Sequence, residues 1–271
     1  MTHRCSTRTV NGTRRKLGLL EPTYPRVDLG IPLMGHALLL DRDTQKHIAQ
    51  SGTADSRRVF NSSWIRNQGS HGSCNGFAGA LALSRARRRV GLQRTILSGA
   101  YLYSLINGGR DQGSHLSAGM RTLADRGCAT ESTVKWDEIY PRKYDQRKAD
   151  AEAARFQAFE CYRLLELNDL WSALALGFDC VVAVHVGRRF SDLDRHGFAG
   201  VDRGYGNHAV ACDGLIWADG QLAASAYNSW GTNWGQHGRM LLSADHFRET
   251  LSVHDFYAIR SASDADAPPL I

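Results

Sequence analysis

Apolar and polar positions divide the chain into a helical half and a strand-rich half. Between about residues 59 and 159 apolar residues recur at helical spacing, as in CNGFAGALALSRARRRVG, which begins at Cys74 and ends at Gly91. After about Cys161 short strand-like runs follow, including CVVAVHV, HAVACDGLIW, LAASAYNSW, GRMLLS and FYAIR. Helices followed by strands predict an α+β fold with an antiparallel sheet rather than an alternating α/β fold.

Capping signals place further helices. Ser98 is predicted to cap a helix through LSGAYLYSLIN, and Ser114 to cap SHLSAGMRTLADRG, which ends at Gly127. KADAEAARFQAF predicts a short charged helix, and NDLWSALALG predicts another helix, capped by its Asn or Asp.

Residues 1–55 differ from the rest of the chain. They hold three of the six prolines and a short apolar patch, IPLMGHALLL, with little helical periodicity. We therefore expect an N-terminal extension over residues 1–55 that lies over the domain. A helical lobe is predicted over 56–160 and a β-rich lobe over 161–271.

The composition permits a sizeable core and gives no sign of a membrane span. Hydrophobic residues make up 42% of the 271 positions, and no unbroken apolar run approaches the roughly 18 residues that a membrane helix needs. The first residues, MTHRCSTRTVNGTRRKLG, lack the apolar stretch of a secretory signal. We expect neither membrane association nor export through a recognisable signal.

The basic charge has two interpretations. Lys and Arg number 33 against 27 Asp and Glu, a formal charge of +6, which permits nucleic-acid binding. The densest run, Arg85 with residues 87–89, precedes Gly91 at a predicted helix C-terminus, where cations complement the helix dipole. We therefore expect a solvated surface and no nucleic-acid partner.

Six cysteines are scattered, without a CxxC pair or zinc-type spacing: Cys5, Cys74, Cys128, Cys161, Cys180 and Cys212. No metal site is expected. Without a secretory signal a reducing compartment is favoured, with most thiols buried as small apolar groups. A bridge between Cys161 and Cys180 stays open at this level.

Three segments carry candidate chemistry: NQGSHGSCNGFA (67–78), GNHAVACDG (206–214) and NSWGTNWGQHG (228–238). Cys74 opens a predicted helix, where the dipole and unpaired N–H groups favour a thiolate. A histidine partner lowers the thiol pKa further and gives a thiolate–imidazolium pair. His208 begins a predicted strand, and Asn228 can accept from its ring N–H and fix the tautomer.

Gln68 lies six residues before Cys74 on a glycine-containing loop. Its side-chain amide and the Cys74 backbone N–H form a predicted oxyanion hole, and one such donor contributes about 10²–10³ in rate. The expected reaction begins with attack of the thiolate on an amide carbonyl. His208 then protonates the leaving amine and activates the water that releases the acyl group. No cofactor is implied.

A cysteine followed far downstream by His and Asn is the spacing that marks papain-like cysteine peptidases. Here His208 follows Cys74 by 134 positions and Asn228 follows His208 by 20. The chain resembles that family over about residues 59–245. The resemblance implies a two-lobed fold with the active-site cleft between the lobes, and peptide or protein substrates. It also implies that Trp230 shields the His–Asn contact from water.

The loop INGGRDQGSH (106–115) is similar to the glycine-containing loop that lines the substrate groove of that family. Either the pair Gly108 and Gly109 or the pair Gly113 and Ser114 is expected to hold peptide backbone. The predicted substrate-binding set is completed by Asn207 and Trp230.

Two positions depart from the family pattern. His71 stands where the family has a disulfide-forming cysteine, which agrees with a reducing compartment. Asn75 stands where a packing tryptophan follows the nucleophile, so the shape of the cleft is in question.

Alternatives remain for both the extension and the activity. The extension is either an inhibitory prosegment that runs through the cleft or a segment packed permanently on the fold. The activity is expected to be peptide hydrolysis. Two alternatives are a catalytically idle papain-like module in a larger assembly, such as a virus particle, and an acyl transferase or ligase that uses the same acyl-enzyme.

Overall fold

The computed structural model describes residues 6–10, 12–22, 30–59 and 61–262. The helices are α1 (Arg42–Ser51), α2 (Cys74–Arg89), α3 (Gly99–Ile106), α4 (Leu116–Asp125), α5 (Gln146–Ala153), α6 (Leu167–Ala175) and α7 (Arg248–Leu251). The strands are β1 (Ser6–Val10), β2 (Thr13–Leu17), β3 (Ala158–Leu164), β4 (Asp179–Val184), β5 (His208–Ala218), β6 (Gln221–Tyr227), β7 (Arg239–Ser243) and β8 (Phe256–Ala262).

The helical lobe is built around α2, which is buried along most of its length and packs against α3 and α4. Glycines permit this close approach. A Cβ on Gly76 would lie 2.4 Å from the Gly99 carbonyl oxygen, which is closer than real atoms come. The sequence CNGFAGALA therefore sets how deeply the helix that begins at Cys74 sits among its neighbours.

The β-rich lobe is a six-stranded antiparallel sheet in the order β3-β8-β4-β5-β6-β7. Strand β5 pairs with β4 over residues 208–212 and with β6 over residues 211–218, with His208 opposite Val184 and Ala211 opposite Tyr227. Helix α2 packs directly on β5. The helix that carries the predicted nucleophile and the strand that carries the predicted base are thus neighbours.

The predicted α+β order is confirmed, and Ser98 caps α3 by accepting from the Tyr101 N–H. Ser114 does not cap α4. That helix begins at Leu116 with His115 at the N-cap, because both backbone groups of Ser114 bond to another segment of the chain.

Two further element predictions are wrong. Helix α6 is capped by Glu166, and Asp169 accepts from the backbone N–H of Glu166, a reciprocal pair that the Asn/Asp prediction missed. Strand β3 begins at Ala158, within the stretch predicted as helical. Only residues 154–157 separate the run AFECYRL from α5, and their sequence contains no Gly, Pro, Asn, Asp or Ser to signal the change.

Of the four arginines at the end of α2, Arg85 and Arg87 are internal and Arg88 and Arg89 are exposed, so the expected solvated basic surface holds only in part here. Arg85 is 7% exposed and Arg87 is fully buried, with its guanidinium 4.4 Å from the centre of the Phe156 ring. Part of the basic composition therefore serves packing.

A group of buried charges, here called the interlobe cluster, joins α2 to the sheet. Arg85 lies 2.9 Å from Asp213 of β5, and Arg89 lies 2.7 Å from Asp179 of β4. Arg239 of β7 approaches Asp213 at 3.2 Å. Both aspartates are 1% exposed, so each charge depends on its partners.

The extension has two described parts. Residues 13–20, here called the cleft segment, lie between the lobes, with Leu17 and Leu19 buried. Residues 30–55 pack on the domain and place Ile31, Met34 and Ala49 in the main core. Within the described ranges no helix is long and apolar enough to cross a membrane.

All five cysteines of the described ranges are free and buried, so Cys161 and Cys180 are not bridged. The sixth cysteine, Cys5, lies outside the described residues. Burial raises the pKa of Cys161 to about 11, which leaves that thiol protonated and unreactive at neutral pH.

Candidate active site

Cys74 is the first residue of α2 and is completely buried. Its thiol lies within hydrogen-bonding reach of the backbone of Ala209 and of Gly18. Ala209 follows His208 directly, so the start of α2 and the start of β5 meet at this point. The fold brings the predicted nucleophile and base together from different lobes.

The orientation of His208 follows from its hydrogen bond to Asn228. The His208 Nε2 atom lies 2.9 Å from Asn228 Oδ1, and the Ser229 backbone N–H donates to the same oxygen at 2.8 Å. An atom that accepts from a backbone N–H is the amide oxygen, so Nε2 carries the ring proton. The lone pair of the neutral imidazole is therefore on Nδ1, which is buried without a partner among the described residues.

Trp230 covers this pair. Its ring centre lies 4.8 Å from that of His208. The ring centres of Trp230 and Trp234 lie 5.2 Å apart in an edge-to-face arrangement. Trp230 is only 2% exposed, so water has little access to the imidazole–amide bond.

Gln68 is held from both sides. Its backbone N–H donates to the Ser229 carbonyl at 2.9 Å, and its Oε1 accepts from the Ser229 hydroxyl at 2.5 Å. The Nε2 atom donates to the His71 carbonyl at 2.7 Å and lies 3.4 Å from the carbonyl oxygen of Lys16. One amide hydrogen thus faces a peptide carbonyl that occupies the cleft, as an oxyanion donor would.

The loop over residues 106–115, here called the groove loop, contains two candidate pairs, and among the described contacts one of them touches the cleft segment. Ser114 donates its N–H to the Gly18 carbonyl at 2.8 Å and accepts from the Leu20 N–H at 3.0 Å. A Cβ on Gly113 would lie 2.2 Å from the Gly18 oxygen, so only glycine permits this approach. The pair Gly113 and Ser114 therefore lines the groove.

Gly108 and Gly109 form a turn with left-handed backbone angles and open space around them. None of their described contacts involves the cleft segment. On the opposite wall, the Asn207 carbonyl accepts from the Leu19 N–H at 3.2 Å, while its side-chain oxygen accepts from the Val186 N–H at 2.8 Å. Asn207 thus contacts the bound chain through its backbone.

The cleft segment closes over the site. Arg15 donates to Asn67 Oδ1 at 2.9 Å and to the Trp230 carbonyl at 3.2 Å, with its guanidinium 5.8 Å from the Trp230 ring centre. Gly18 approaches so closely that a Cβ there would lie 1.8 Å from the Gly72 carbonyl oxygen. Cys74, His208 and Gln68 are consequently 0% exposed.

Covering the site changes its protonation. Burial raises the pKa of the Cys74 thiol. Burial, together with the positive charge of Arg15, lowers the pKa of His208 to about 4, although the bond to Asn228 acts in the opposite direction. The covered site therefore holds a neutral thiol and a neutral imidazole, whereas the sequence predicts the ion pair.

The position of Asn75 shows how the groove keeps its shape without the usual tryptophan. The Asn75 amide donates to the Ser114 hydroxyl at 3.1 Å and to the His115 carbonyl at 2.7 Å. A polar clamp therefore ties the nucleophile's helix to the groove loop.

At the other position that departs from the family pattern, His71 Nδ1 lies 3.6 Å from Asp111 Oδ2. The sequence analysis did not single out Asp111, although it is the one acidic residue in INGGRDQGSH. Across the ranges that the structure describes, no group of three or more His, Cys, Asp or Glu side chains could hold a metal ion.

A helix-borne thiol, an imidazole fixed by an asparagine and a side-chain amide donor across a two-lobed cleft define a thiol peptidase of papain-like fold. The chain matches the family described as papain family cysteine protease over residues 51–255. It belongs to that family, which confirms the resemblance in the sequence and the expected peptide or protein substrates.

Solved structures agree in fold. Xylellain, a cysteine protease from Xylella fastidiosa, is 19% identical with a TM-score of 0.67, over 92% of this chain and 98% of that one. Procathepsin B from Trypanosoma congolense is 15% identical with a TM-score of 0.61, over 90% and 87%. The proform of the ragweed pollen allergen Amb a 11, a cysteine protease, is 20% identical with a TM-score of 0.60, over 72% and 61%. No curated protein matches the chain by sequence.

Proposed function

We propose that the chain is a cysteine peptidase with Cys74 as nucleophile and His208 as general base and acid, covered by its own N-terminal extension. The hydrogen bond from His208 Nε2 to Asn228 carries the assignment of roles. It fixes the tautomer in which the lone pair is on Nδ1, beside the helix that begins at Cys74. An idle module would have no need of this orientation.

The reaction follows from these positions. Once the cleft is open, the thiol proton passes to His208 Nδ1 and the thiolate attacks a peptide carbonyl. The Cys74 backbone N–H and Gln68 Nε2 stabilise the oxyanion. His208 then protonates the leaving amine and later takes a proton from the water that hydrolyses the thioester.

The two parts of the extension suit different roles. The cleft segment fills the groove mainly through backbone and rim contacts, as an inhibitory segment would. Residues 30–55 contribute buried side chains to the core, as a permanent part of the fold would. Two of the similar solved structures are proforms by title, which agrees with an inhibitory role for the cleft segment.

A reducing compartment suits the thiols. All five described cysteines are free, and His71 occupies a position that is disulfide-bonded in the family. Stability here does not depend on a bridge.

The test is a comparison of Cys74→Ala with the unmodified chain on a diverse peptide library, with fragments identified by mass spectrometry. The variant should lose turnover and keep its circular dichroism spectrum and unfolding midpoint. Cys128→Ala is the matched control, because Cys128 is an equally buried thiol outside the cleft. Residual cleavage above a few per cent in Cys74→Ala would refute the nucleophile assignment. If neither the Cys128→Ala variant nor the unmodified chain cleaves any peptide, even after residues 1–22 are removed, the idle module is favoured.

A further inference from the structure

Asp111 presents a fixed carboxylate inside the cleft. Its Oδ1 accepts from the Gly72 backbone N–H at 2.8 Å and from the Tyr103 hydroxyl at 2.9 Å. Gly72 lies two residues before Cys74, and Tyr103 is fully buried in α3. The carboxylate is therefore positioned by the same framework that positions the nucleophile.

A cation of the chain itself occupies this carboxylate. Lys16 Nζ lies 2.8 Å from Asp111 Oδ2 and also donates to the Asp111 backbone carbonyl. The carbonyl of the same Lys16 faces Gln68 Nε2. A residue whose carbonyl meets the oxyanion donor can thus place a long side chain on Asp111.

Asp111 carries a negative charge that needs a partner. Burial alone would raise its pKa, but hydrogen bonds from His71, Lys16, Gly72 and Tyr103 hold that pKa well below its usual range. The side chain is 19% exposed. Among the described residues, Lys16 is the only Lys or Arg bound to it. Withdrawal of the cleft segment therefore leaves a half-buried carboxylate without a full positive partner.

We propose that Asp111 selects substrates with lysine or arginine at the residue that supplies the scissile carbonyl. The proposal rests on the proposed peptidase function. A cationic side chain restores the pairing that Lys16 makes in the covered state, whereas a neutral side chain leaves the partly desolvated carboxylate without a lysine or arginine partner. This selection concerns only the side chain of the residue that supplies the scissile carbonyl.

The experiment uses the full chain with two fluorogenic peptide amides that differ only in lysine or norleucine at that residue. We expect kcat/KM to be about 10- to 100-fold higher for lysine, the range of one charge-assisted hydrogen bond. Asp111→Asn should bring the ratio close to one. The asparagine oxygen can still accept from Gly72 and Tyr103, and the fold is checked by the unfolding midpoint.

Two further variants distinguish substrate selection by Asp111 from displacement of the cleft segment. Lys16→Gln loosens the cleft segment, so it should raise both rates and leave their ratio unchanged. Asp125→Asn, which removes an exposed carboxylate at the far end of α4, should change neither. Equal rates for the two peptides in the unmodified chain would overturn the selection and leave the peptidase standing. Absence of cleavage of both peptides in all variants, with Cys74 unreactive to a thiol-directed electrophile even after residues 1–22 are removed, would instead refute the peptidase function.

Discussion

At the scale of single residues, the site depends on hydrogen bonds that leave one atom free to react. Asn228 binds one nitrogen of His208, and Gln68 is bound by Ser229 and by the backbone of His71. Each contact fixes a donor or a lone pair toward the cleft. In the proposed mechanism, these donors and this lone pair are thus oriented before substrate arrives.

The low pKa of His208 predicts a loss of stability in acid. The unfolded chain takes up this proton near pH 6.5 and the covered fold only near pH 4. The unfolded state therefore binds more protons in that interval, so stability falls as the pH falls from 6.5 to 4. At about 1.4 kcal/mol per unit, His208 accounts for a loss of about 3 kcal/mol.

Denaturant unfolding at pH 7 and pH 4 measures this loss. His208→Gln, which keeps a donor for Asn228, should reduce the pH dependence by that amount. The exposed His47→Gln is the control and should leave it unchanged. A His208→Gln variant with the full pH dependence would contradict the assignment.

The proposed catalytic residues could be named from the sequence because their types, order and spacing match the papain-like pattern: Gln68 before Cys74, then His208 and Asn228 far downstream. The neutral state of the covered pair could not, because it depends on Arg15 and Gly18, which reach the site only in three dimensions. Asp111 escaped notice for the same reason. Its partners Gly72, Tyr103 and Lys16 lie on three separate segments.

At the scale of elements, the relation of α2 to β5 decides whether Cys74 and His208 meet. The interlobe cluster fixes that relation by pairing Arg85 with Asp213. Arg85 lies a few turns after Cys74 on α2, and Asp213 lies a few residues after His208 on β5. Asp213 also accepts from Ser56 at 2.6 Å, so the chain entering the domain is tied to the same point.

Asp213→Ala should therefore destabilise the protein by about 3–5 kcal/mol, since it removes a carboxylate from the buried Arg85 and Arg239 and leaves Arg85 with Asp179 at 3.4 Å. The urea midpoint should fall with an unchanged m value. Asp125→Ala, at an exposed pair with Arg121, should change stability by no more than about 0.5 kcal/mol. Similar midpoints for the two variants would mean that the cluster contributes nothing.

Most elements follow from apolar periodicity, which finds α2 and β5 with ease. It missed β3, where a seven-residue strand follows α5 without a turn signal, and it misplaced the start of α4. Ser114 has the chemistry of a cap, but its backbone groups bond to the cleft segment instead. Tertiary contacts decided both cases.

At the scale of the whole molecule, the extension both covers the cleft and completes the core. Sequence alone presented these as alternatives. The described residues differ in degree: the cleft segment covers the site and adds Leu17 and Leu19 to the core, whereas residues 30–55 only support the core, with Gln45 1% exposed and bonded to Asn168 and Ser172.

Two truncations test this division. Removal of residues 1–22 should raise peptidase activity at least tenfold and lower the unfolding midpoint, because Leu17 and Leu19 leave the core. Removal of residues 1–50 should lower the midpoint further, together with the yield of soluble protein, because Ile31, Met34 and Gln45 also leave their sites. Equal stability of the two truncations would place residues 30–50 outside the core.

The contact between Gly18 and Gly72 has a consequence for the proposed inhibition. The cleft segment fits only because Gly18 lacks a side chain, and alanine differs from glycine by one methyl group and commonly by one base of its codon. Under that proposal, a single point mutation at Gly18 would push the segment off the cleft and leave the peptidase uninhibited.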